Sequence, residues 1–584
     1  MPVAGRYFIL KFLLLCLLLC QIRVAVSQHA WYEPGTFQEM LLLTGDIGDY
    51  NGERYFVRSL PMSAHMVRPG SSWMDHDPSG QSRGSQAGTL YKKKAGYAFS
   101  NLQYLIMDNP ETGYPAAEGK EDSTNTRWLW KHPAMFFLWT DRQKTNRSTV
   151  CINPVLNLAA GPSSQFGSLA QQNGRGIELR ASLAGKLGIY TRVVENQTYF
   201  PDYINRYRDS FGVVPGLGWW KKYGSRGTDY LQAIGYFTYA VIRRPEDPVH
   251  VNMSMGHGSF QVGNGYRSLI LGNDVQPYLF LKFNTRIGPF YYQNIFGQMN
   301  GFSPLLGNTL LPKKYMAMHR AAVMIGKHQS LELALNEMTI HSRSNGGFDP
   351  EYLNPVIFYR AIEANQGSAD NSLMAIDGCF RWKGFRFYGQ FMLDEFKLSN
   401  MQKGEWWGNK NGLQLGFTKV MTNGPLNILF QAEYNKVRPY TYSHMDPANS
   451  YTHYNQPLAH PQGANFSEGF FRLYVQPKKW QRLHALCMFN HARQGQDSWL
   501  GGRNFGSNPR RDNDFRTSDF GVKMYQGANT RIQSFRVQMT YMLRHNVNLD
   551  LTLWGRNQTG NQPLKGTYLT AGFRWNFEPV VRIF

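Results

Sequence analysis

The feature that most limits the fold of this chain is a two-residue alternation of apolar and polar side chains, which recurs from about Thr149 to the end. Near the C-terminus, for example, Leu549, Leu551 and Leu553 alternate with Asp550 and Thr552. Successive side chains of a β-strand point to opposite faces, so each such segment predicts a strand with one apolar and one polar face.

The connections between these segments are sorted by length, since very short turns alternate with long polar stretches. The turns lie at 184–186, 244–247, 286–288, 326–328, 381–384, 423–424, 477–479 and 544–546; the long connections include 200–230, 256–275, 342–371, 395–411, 438–467 and 495–528. Counting across them gives about 18 strands, and an even count with short turns at one end is typical of bacterial outer-membrane barrels. The sequence therefore predicts an all-β fold, a transmembrane outer-membrane β-barrel of about 18 antiparallel strands.

The competing interpretation is a soluble sandwich, in which the apolar faces would form a dry core. The polar faces of three segments carry Glu332 and Asn336; Arg386, Gln390 and Asp394; and Asn427, Gln431, Glu433 and Asn435. The opposite faces carry Leu331, Leu333 and Leu335; Phe387, Phe391 and Leu393; and Ile428, Phe430, Ala432 and Tyr434. Charged and amide groups repeated on one face are costly in a dry core and cheap in a wet lumen, which favours the barrel.

The last segment has a second property. Thr570, Gly572, Trp575 and Phe577 match the polar-x-Gly-x-x-aromatic-x-aromatic pattern that closes outer-membrane barrel proteins, and we interpret them as a barrel-assembly signal. The alternation predicts that Leu569, Ala571, Phe573, Trp575 and Phe577 share the outward, apolar face.

Three regions are expected along the chain. Residues 1–27 have basic residues before a short apolar run and end in Ala25-Val26-Ser27, which predicts a cleaved signal peptide. Residues 28–147 lack sustained alternation and predict a small helical or irregular periplasmic or plug region, with short helices at 36–44 and 101–107. Residues 148–584 form the barrel. No later apolar run approaches the length of a membrane helix.

Composition narrows the possible partners. The net charge of +22 favours acidic ones, such as nucleic acid, anionic lipid or acidic polysaccharide. Aromatic residues make up 14% of the chain and charged residues only 17%, which suits strands with aromatic girdles and suits a nucleic-acid-binding tail poorly. We therefore predict no nucleic-acid partner.

The stretch 438–466 is the richest candidate for ligand binding, because aromatic rings stack on sugar rings while amides and arginine bind hydroxyls and carboxylates. The predicted polysaccharide-binding residues are Arg438, Tyr440, Tyr442, His444, Tyr454, Asn455, His460 and Asn465, together with Trp406 and Trp407. Two alternatives stay open: the loop side chains bond to loop backbone and fix its shape, and the two tryptophans anchor the chain at the membrane interface.

Catalysis and cofactors are not expected. The three histidines His444, His453 and His460 fit no standard metal-ligand spacing, and Cys151, Cys379 and Cys487 are unclustered, so we predict no metal and no cofactor. No nucleophile or carboxylate pair suggests an enzyme. The glycine-rich run 256–265 lacks the Lys-Ser/Thr of a phosphate loop and is interpreted as a compact loop that folds into the lumen.

Several loop stretches resemble the capsule-assembly Wzi family as it occurs in Bacteroidetes, whose relatives include RemB-like gliding-motility proteins. The matching segments are FQVGNGYRSL at 260–269 with Asn273-Asp274, FDP at 348–350, LNPV at 353–356, YGQF at 388–391, RPYTYSH at 438–444 and YNQPLAHP at 454–461. The resemblance implies an 18-stranded outer-membrane barrel with a helical N-terminal plug, a lectin role for surface polysaccharide, and, for the RemB-like branch, surface adhesion and movement.

Three functions follow from the sequence. The first is a barrel that binds or anchors acidic surface polysaccharide, in capsule attachment or in adhesion and gliding. The second is an outer-membrane diffusion channel, and the third is a structural subunit of an envelope complex. Expected partners are polysaccharide, outer-membrane lipid, the barrel-assembly machinery and other envelope proteins.

Overall fold

The computed structural model describes residues 47–49, 57–59, 67–69, 137–140 and 149–577. The last range has gaps at 165–168, 184–186, 243–248, 302–309, 327–329, 344–345, 357, 383, 395–404, 422–423, 481, 498–501 and 545–546. The expected signal peptide and the expected short helices at 36–44 and 101–107 lie outside the described residues.

Eighteen antiparallel strands, which we number β1 to β18, close into one barrel. Their bounds are β1 Thr149–Pro162, β2 Leu169–Leu183, β3 Leu187–Tyr199, β4 Gly227–Ile242, β5 Val249–Gly258, β6 Tyr278–Ile287, β7 Phe290–Asn300, β8 Lys313–Ile325, β9 Leu331–His341, β10 Asn371–Trp382, β11 Phe385–Asp394, β12 Asn411–Met421, β13 Leu426–Val437, β14 Phe466–Pro477, β15 Leu483–Gln496, β16 Ala528–Arg544, β17 Val547–Thr559 and β18 Leu564–Trp575. Each strand pairs with the next in the chain, and β18 pairs with β1.

Smaller elements decorate the barrel. Helix α1 is Asp202–Phe211 and helix α2 is Tyr359–Gln366; 3-10 turns are Pro350–Leu353, Pro447–Asn449 and Asn513–Phe515; short strands are Ile47–Asp49, Val57–Ser59, Val67–Pro69, Phe137–Thr140, Lys221–Tyr223, Phe260–Val262, Thr452–His453 and Gln456–Pro457. Val57–Ser59 pairs antiparallel with Phe260–Val262. Within the described ranges, no helix is both long and apolar enough to cross a membrane.

The barrel closes at a seam between β18 and β1. There Ala571 lies opposite Ala160, and Trp575 lies opposite Leu156. The short strand Phe137–Thr140 pairs with the beginning of β1 on the same side. The two backbones approach closely at Gly161, where an added Cβ would stand 1.8 Å from the carbonyl oxygen of Leu569. Only glycine fits such a contact.

The two faces of the strands are as the alternation predicts. Leu333 and Leu335 of β9 are exposed on the outer surface, while Glu332 and Asn336 are buried on the inner one. The outer surface elsewhere carries exposed leucine, isoleucine, phenylalanine and methionine side chains. An apolar exterior around a polar interior is the arrangement of an outer-membrane barrel. The predicted fold class is therefore confirmed, and the sandwich interpretation is wrong.

The connections are sorted as predicted. All eight predicted turns fall between consecutive strands at one end of the barrel, which we call the short-turn end, and β18 finishes there. The long connections 200–226, 259–277, 342–370, 395–410, 438–465 and 497–527 lie at the opposite, long-loop end.

Two long connections, 259–277 and 438–465, fold into the barrel and pack on its inner wall. Their apolar side chains form one core with wall residues; it includes Phe260, Leu269, Ile270, Leu271, Tyr442, Tyr451 and Leu458 from the connections and Met316, Met338 and Met392 from the wall. The expectation that 256–265 forms a compact loop inside the lumen is confirmed for Phe260 and the residues that follow it. The lumen beside β7 to β14 is therefore filled by protein.

Buried charges on the inner wall are paired with these connections. The Glu433 carboxylate accepts hydrogen bonds from the backbone N–H groups of Tyr266 and Arg267, at 2.6 and 3.1 Å. Arg267 also forms an ion pair with Asp274 at 2.9 Å. Buried charges are tolerated where partners satisfy them, so the carboxylates of the wall hold the infolded loop in place.

The connection 342–370 packs on the outside of the barrel instead, and we call it the strap. The alternation that points Leu335 outward also points the covered wall residues outward, although they are buried. These wall residues are Phe296, Ala317, His319, Glu337, Thr339 and His341, and Tyr352, Tyr359 and Ile362 of the strap lie over this surface.

One sequence prediction about the last strand is wrong. Phe577 does not share the outward face, because it packs inside the barrel against Val155 and Val194. Strand β18 ends at Trp575, and Asn576 has a positive φ of 50° that breaks the alternation. The Asn576 side chain donates to the carbonyl of Pro154 at 2.9 Å, which fixes this reversal.

Candidate functional site

The predicted polysaccharide-binding residues of 438–465 lie mostly inside the folded loops. Buried members are Tyr440, Tyr442, His444, Asn455, His460 and Asn465, whereas Arg438 and Tyr454 are half-buried. The segment is thus a folded part of the barrel interior, and its predicted role in binding sugar stays a prediction.

Tyrosine and asparagine side chains of this segment bind the backbone of other connections. The Tyr442 hydroxyl donates to the carbonyl of Leu269, and the Tyr440 hydroxyl donates to that of Asn504, both at 2.7 Å. The Asn465 amide donates to the carbonyls of Gly495, Phe505 and Gln526, at 2.7, 3.2 and 3.0 Å. These bonds tie 438–465 to 259–277 and to 497–527.

The same segment carries unusual backbone geometry. Five non-glycine residues have positive φ, namely Tyr440 at 64°, Tyr442 at 72°, Tyr454 at 47°, Asn455 at 59° and Asn465 at 55°. Such conformations cost about 1–3 kcal/mol each in non-glycine residues and persist only where surrounding contacts enforce them. The loop therefore has one conformation, set by its buried hydrogen bonds.

The three histidines of the segment have separate partners. His460 Nε2 lies 2.7 Å from Glu468, His444 Nδ1 accepts from the backbone N–H of Asp446 at 3.0 Å, and His453 Nδ1 accepts from that of Asn300 at 3.1 Å. Burial lowers the pKa of His453 to about 3, so it is neutral at physiological pH. In the described part of the chain, no three His, Cys, Asp or Glu side chains are grouped as metal ligands.

Trp406 and Trp407 are half-buried and in contact with each other, at 5.9 Å between ring centroids. Two cations lie near the Trp407 ring, with the Arg516 guanidinium 4.2 Å and the Lys410 ammonium 5.1 Å from its centroid. This ring is engaged by cation–π contacts within the loops.

A cleft at the long-loop end is the most developed candidate site. We call it the mouth cleft; it has a volume of about 630 Å³ and lies between α1, the loops 457–462 and 507–511, and the upper parts of β15 to β17. Helix α1 presents Tyr203, Tyr207 and Phe211 at four-residue spacing, so all three lie on one face. The rings of Tyr207 and Phe211 stack with centroids 4.2 Å apart.

The mouth cleft is strongly basic. It is lined by Arg206, Arg510, Arg511 and Arg556 and by one carboxylate, Asp497. The Asp497 side chain is held by the backbone N–H groups of the 505–508 loop, the shortest at 2.7 Å from Phe505. Burial raises the pKa of Asp497 and lowers that of Arg510, but arginine stays protonated at neutral pH.

Two side chains on the cleft wall have hydrogen-bonding capacity to spare. Both polar atoms of the Gln462 amide are buried without a hydrogen-bond partner among the described residues, and so are Nε and Nη1 of Arg556. Buried polar groups in proteins nearly always have partners. Stacking rings, arginine donors and free amide groups together suit an anionic, hydroxyl-rich ligand.

None of the ten predicted polysaccharide-binding residues lines the mouth cleft, although Pro457, Pro461 and Gln462 of the stretch 438–466 do. The Tyr203, Tyr207 and Phe211 spacing and the Arg510-Arg511 pair are visible in the sequence. Their proximity is not, because it joins a helix after β3 to a loop before β16 across the barrel mouth.

A second cavity lies on the same side of the barrel, deeper along the strands. It has a volume of about 160 Å³ and is lined by wall residues such as Arg536, Asp550, Arg574 and Thr570. Tyr203 and Trp554, with ring centroids 5.9 Å apart, line the upper and the lower cavity respectively. The Arg556 guanidinium lies 4.8 Å from the Tyr203 ring. Aromatic and arginine side chains thus occupy the space between the two cavities.

Solved structures with similar shape include outer-membrane proteins and porins. Wzi of Escherichia coli, described as a carbohydrate-binding β-barrel involved in group 1 capsule assembly, is 15% identical over 73% of this chain and 85% of its own, with a TM-score of 0.47. OprD of Pseudomonas aeruginosa is 10% identical over 73% and 94%, at 0.39. A BenF-like porin of Pseudomonas fluorescens is 8% identical over 73% and 98%, also at 0.39.

No protein-family model and no curated protein matches the chain. Such distant likeness concerns fold alone, and the barrel assignment rests on the strand pairing of this chain itself. The chain is similar to outer-membrane β-barrels.

Proposed function

We propose that this protein binds an acidic polysaccharide in the mouth cleft and holds it at the surface of the bacterial outer membrane. The observation that carries the proposal is the set of cleft arginines with a free amide beside them, above all Arg556 and Gln462. Their donors suit the carboxylates and hydroxyls of uronic acid sugars. The residues of 438–465 act in this proposal by shaping the cleft, with Pro457, Pro461 and Gln462 on its wall.

The test compares an acidic and a neutral oligosaccharide. We expect detergent-solubilised protein to bind oligogalacturonate at least about tenfold more tightly than maltooligosaccharide, since a charge-assisted hydrogen bond contributes about 1.5–3 kcal/mol. Isothermal titration calorimetry measures both affinities. Binding should weaken as salt is raised, because salt screens the attraction between the cleft arginines and the sugar carboxylates.

A pair of variants locates the site. Combining Arg510→Met with Arg556→Met removes two cleft charges while keeping side-chain length, and should lower the oligogalacturonate affinity by roughly tenfold or more. Arg503→Met is the matched control, since Arg503 is exposed in the same connection and does not line the cleft. Equal binding of both sugars, or equal effects of the two changes, contradicts the proposal.

The second candidate function is a diffusion channel, and the lower cavity favours it. That cavity lies on the lumen side of β16 to β18 and is also lined by Val214, Pro215 and Leu217 of the connection 200–226. Planar-bilayer recordings separate the two functions. A binding protein whose lumen is filled gives no steady conductance, whereas a channel conducts, and the Arg556→Met change would then alter its anion selectivity.

A further inference from the structure

The strap covers part of the outer wall, which elsewhere on the barrel carries exposed apolar side chains. Below it on β9, Leu333 and Leu335 are exposed outward, and Ile376 of β10 is exposed beside Leu335, its neighbour in the strand pairing. Above them, the strap covers outward-facing Glu337 and His341. The lowest described part of the strap, residues 353–356 and 358, which we call the strap tip, ends where the apolar surface begins.

The wall supplies hydrogen bonds to the backbone of the strap tip. The carbonyl of Pro355 accepts from the Tyr292 hydroxyl and, at 3.3 Å, from the Asn294 amide. The carbonyl of Asn354 pairs with His319 Nε2 at 3.1 Å. All three partners are on β7 or β8 and point outward, as the register with the inward-facing Arg320 shows.

N–H groups just after the tip also have a partner on the wall. Those of Tyr359 and Arg360, the first residues of α2, donate to the Glu337 carboxylate at 2.9 and 3.2 Å, which places a negative charge at the N-terminus of α2. The N–H of Val356 donates to the side chain of Asn354 at 3.1 Å, and Pro355 has no N–H to satisfy.

Water could satisfy these backbone groups if the tip were in water, so the wall side chains would be unnecessary there. Irregular backbone within a bilayer, in contrast, is tolerated only where protein satisfies its polar groups. Polar side chains on a lipid-facing wall are likewise costly unless they have partners. These four wall side chains and the backbone groups of the strap that they bind thus satisfy one another.

Apart from Asn354, whose side chain accepts a hydrogen bond from the Val356 N–H, the exposed side chains of the strap tip are apolar. Val356 is 80%, Phe358 64% and Leu353 44% exposed. The nearby Arg360 is paired with Glu363 at 2.7 Å. The main charged cluster of the strap is Arg343, Asp349 and Asp370, close to the ends of β9 and β10 at the barrel rim. Apolar groups at mid-wall and charges at the rim follow the polarity of a membrane leaflet.

We propose that the strap tip is immersed in the acyl chains of the outer leaflet, with its irregular backbone sealed against the barrel wall. Tyr292, Asn294, His319 and Glu337 are then the wall residues that make immersion possible. This surface is independent of the mouth cleft and of the polysaccharide proposal.

Spin-label accessibility tests the proposal. A nitroxide is attached at Val356→Cys in a variant whose native cysteines are replaced by alanine, and the protein is placed in phosphatidylcholine nanodiscs. Leu335→Cys on the bare wall is the lipid control, and Asn365→Cys, exposed near the end of α2, is the control toward the rim. Collision with oxygen, which enters lipid, is compared with collision with a water-soluble nickel chelate.

We expect the Val356 label to behave as the Leu335 label does, with high oxygen and low nickel accessibility. High nickel accessibility would place the tip in water and overturn the proposal. A label immobilised and shielded from both reagents would place it against protein, which also overturns it. Val356 contributes little buried surface, so the change should not impair folding, and a heat-modifiability gel verifies the folded state of each labelled variant.

A second measurement does not depend on a label. Val356→Asp puts a charge at the tip and should loosen the strap, because an unpaired charge is unfavourable in hydrocarbon. Trypsin should then cleave after Arg360 at least about tenfold faster than in the Asn365→Asp control. Equal cleavage rates would contradict immersion.

Discussion

At the seam between β18 and β1, the backbone of Gly161 approaches Leu569 so closely that no side chain fits between them. Gly572 is close to the facing backbone too, with a hypothetical Cβ 3.1 Å from the Leu158 carbonyl oxygen. A barrel has to bring its first and last strands to hydrogen-bonding distance, so these two residues affect the closure of the whole sheet.

We expect Gly161→Ala to destabilise the barrel by about 1–3 kcal/mol, because the new methyl group forces the seam apart. The matched control is Gly469→Ala in β14, where an added Cβ meets nothing within 4 Å. Urea unfolding in detergent, followed by the heat-modifiable gel band, measures both. A similar loss of stability in the two variants would show that the seam accommodates the added methyl group, which would contradict this prediction.

The inner wall supplies a second prediction at this scale. Arg320 forms ion pairs with Glu332, at 3.0 Å, and with Asp377, and all three side chains are buried. Arg320→Met should cost about 3–5 kcal/mol, because it leaves carboxylates buried without a full set of partners.

The control for this change is Lys523→Met, which removes an exposed pair with Glu405 at 3.8 Å. Exposed pairs contribute about 0–1 kcal/mol, so the unfolding midpoint should hardly move. If Arg320→Met were as mild, water rather than arginine would be satisfying the inner carboxylates.

Among the elements, the strap is the one most open to control by pH. Burial alone would raise the pKa of Asp370, but hydrogen bonds from Arg343, Tyr352 and Ser368 hold it below its ordinary value. The pKa of Asp349 is also lowered, again by Arg343 against the effect of burial. The Arg343 guanidinium lies 3.0 Å from the Asp349 carboxylate and 2.8 Å from the Asp370 carboxylate.

A carboxylate whose pKa is lowered in the folded state stabilises that state above its free pKa of about 3.9 and loses this contribution as the pH falls through the lowered value. The strap should therefore stay docked from neutral pH to about pH 4 and loosen below it. A spin label at Ala364→Cys reports its mobility. In the Asp370→Asn variant the label should already be mobile at pH 7. In the protein with Asp370 intact, equal mobility of the label at pH 7 and at pH 2.5 would contradict this role.

Elements of the barrel wall were largely predictable, because each strand obeys a local rule. The alternation of β9 and β13 follows from which face meets the apolar exterior, and no partner strand has to be known to see it. The strap departs from this rule, since Glu337 and His341 face outward on β9 and their cover comes from a separate connection. Alternation alone assigns such residues to a lipid-facing surface.

At the scale of the whole molecule, the apolar exterior determines how the protein behaves in solution. Leu335, Ile376, Leu415 and Phe290 are among the more exposed apolar side chains of the wall, at 55–60%. A soluble monomer rarely exposes so continuous an apolar surface.

We expect the folded chain to remain with the membrane in aqueous buffer and to be extracted only by detergent. Its unboiled form should migrate differently from the boiled form on a gel, as closed barrels do. Recovery of a folded, monomeric protein in buffer without detergent would contradict the membrane location.

The site was less predictable than the wall. The sequence predicts that side chains of 438–466 bind the ligand. The structure instead places most of the aromatic and amide side chains of this stretch in hydrogen bonds to other loops, such as that of Tyr442 with Leu269. The mouth cleft instead gathers Tyr203 from α1, Arg510 from the connection before β16 and Arg556 from β17. No local pattern indicates that these three residues meet.

The sequence by itself determined the class of fold, the number of strands and the end at which the short turns lie. Each strand of a membrane barrel meets lipid on one side and a polar interior on the other, so every segment by itself shows the alternation of apolar and polar side chains. The tertiary structure alone decided which connections fold inward, which one becomes the strap, and where Phe577 points. Those outcomes depend on contacts between distant residues, such as Glu433 with Tyr266, 167 positions apart, and no period in a single segment encodes them.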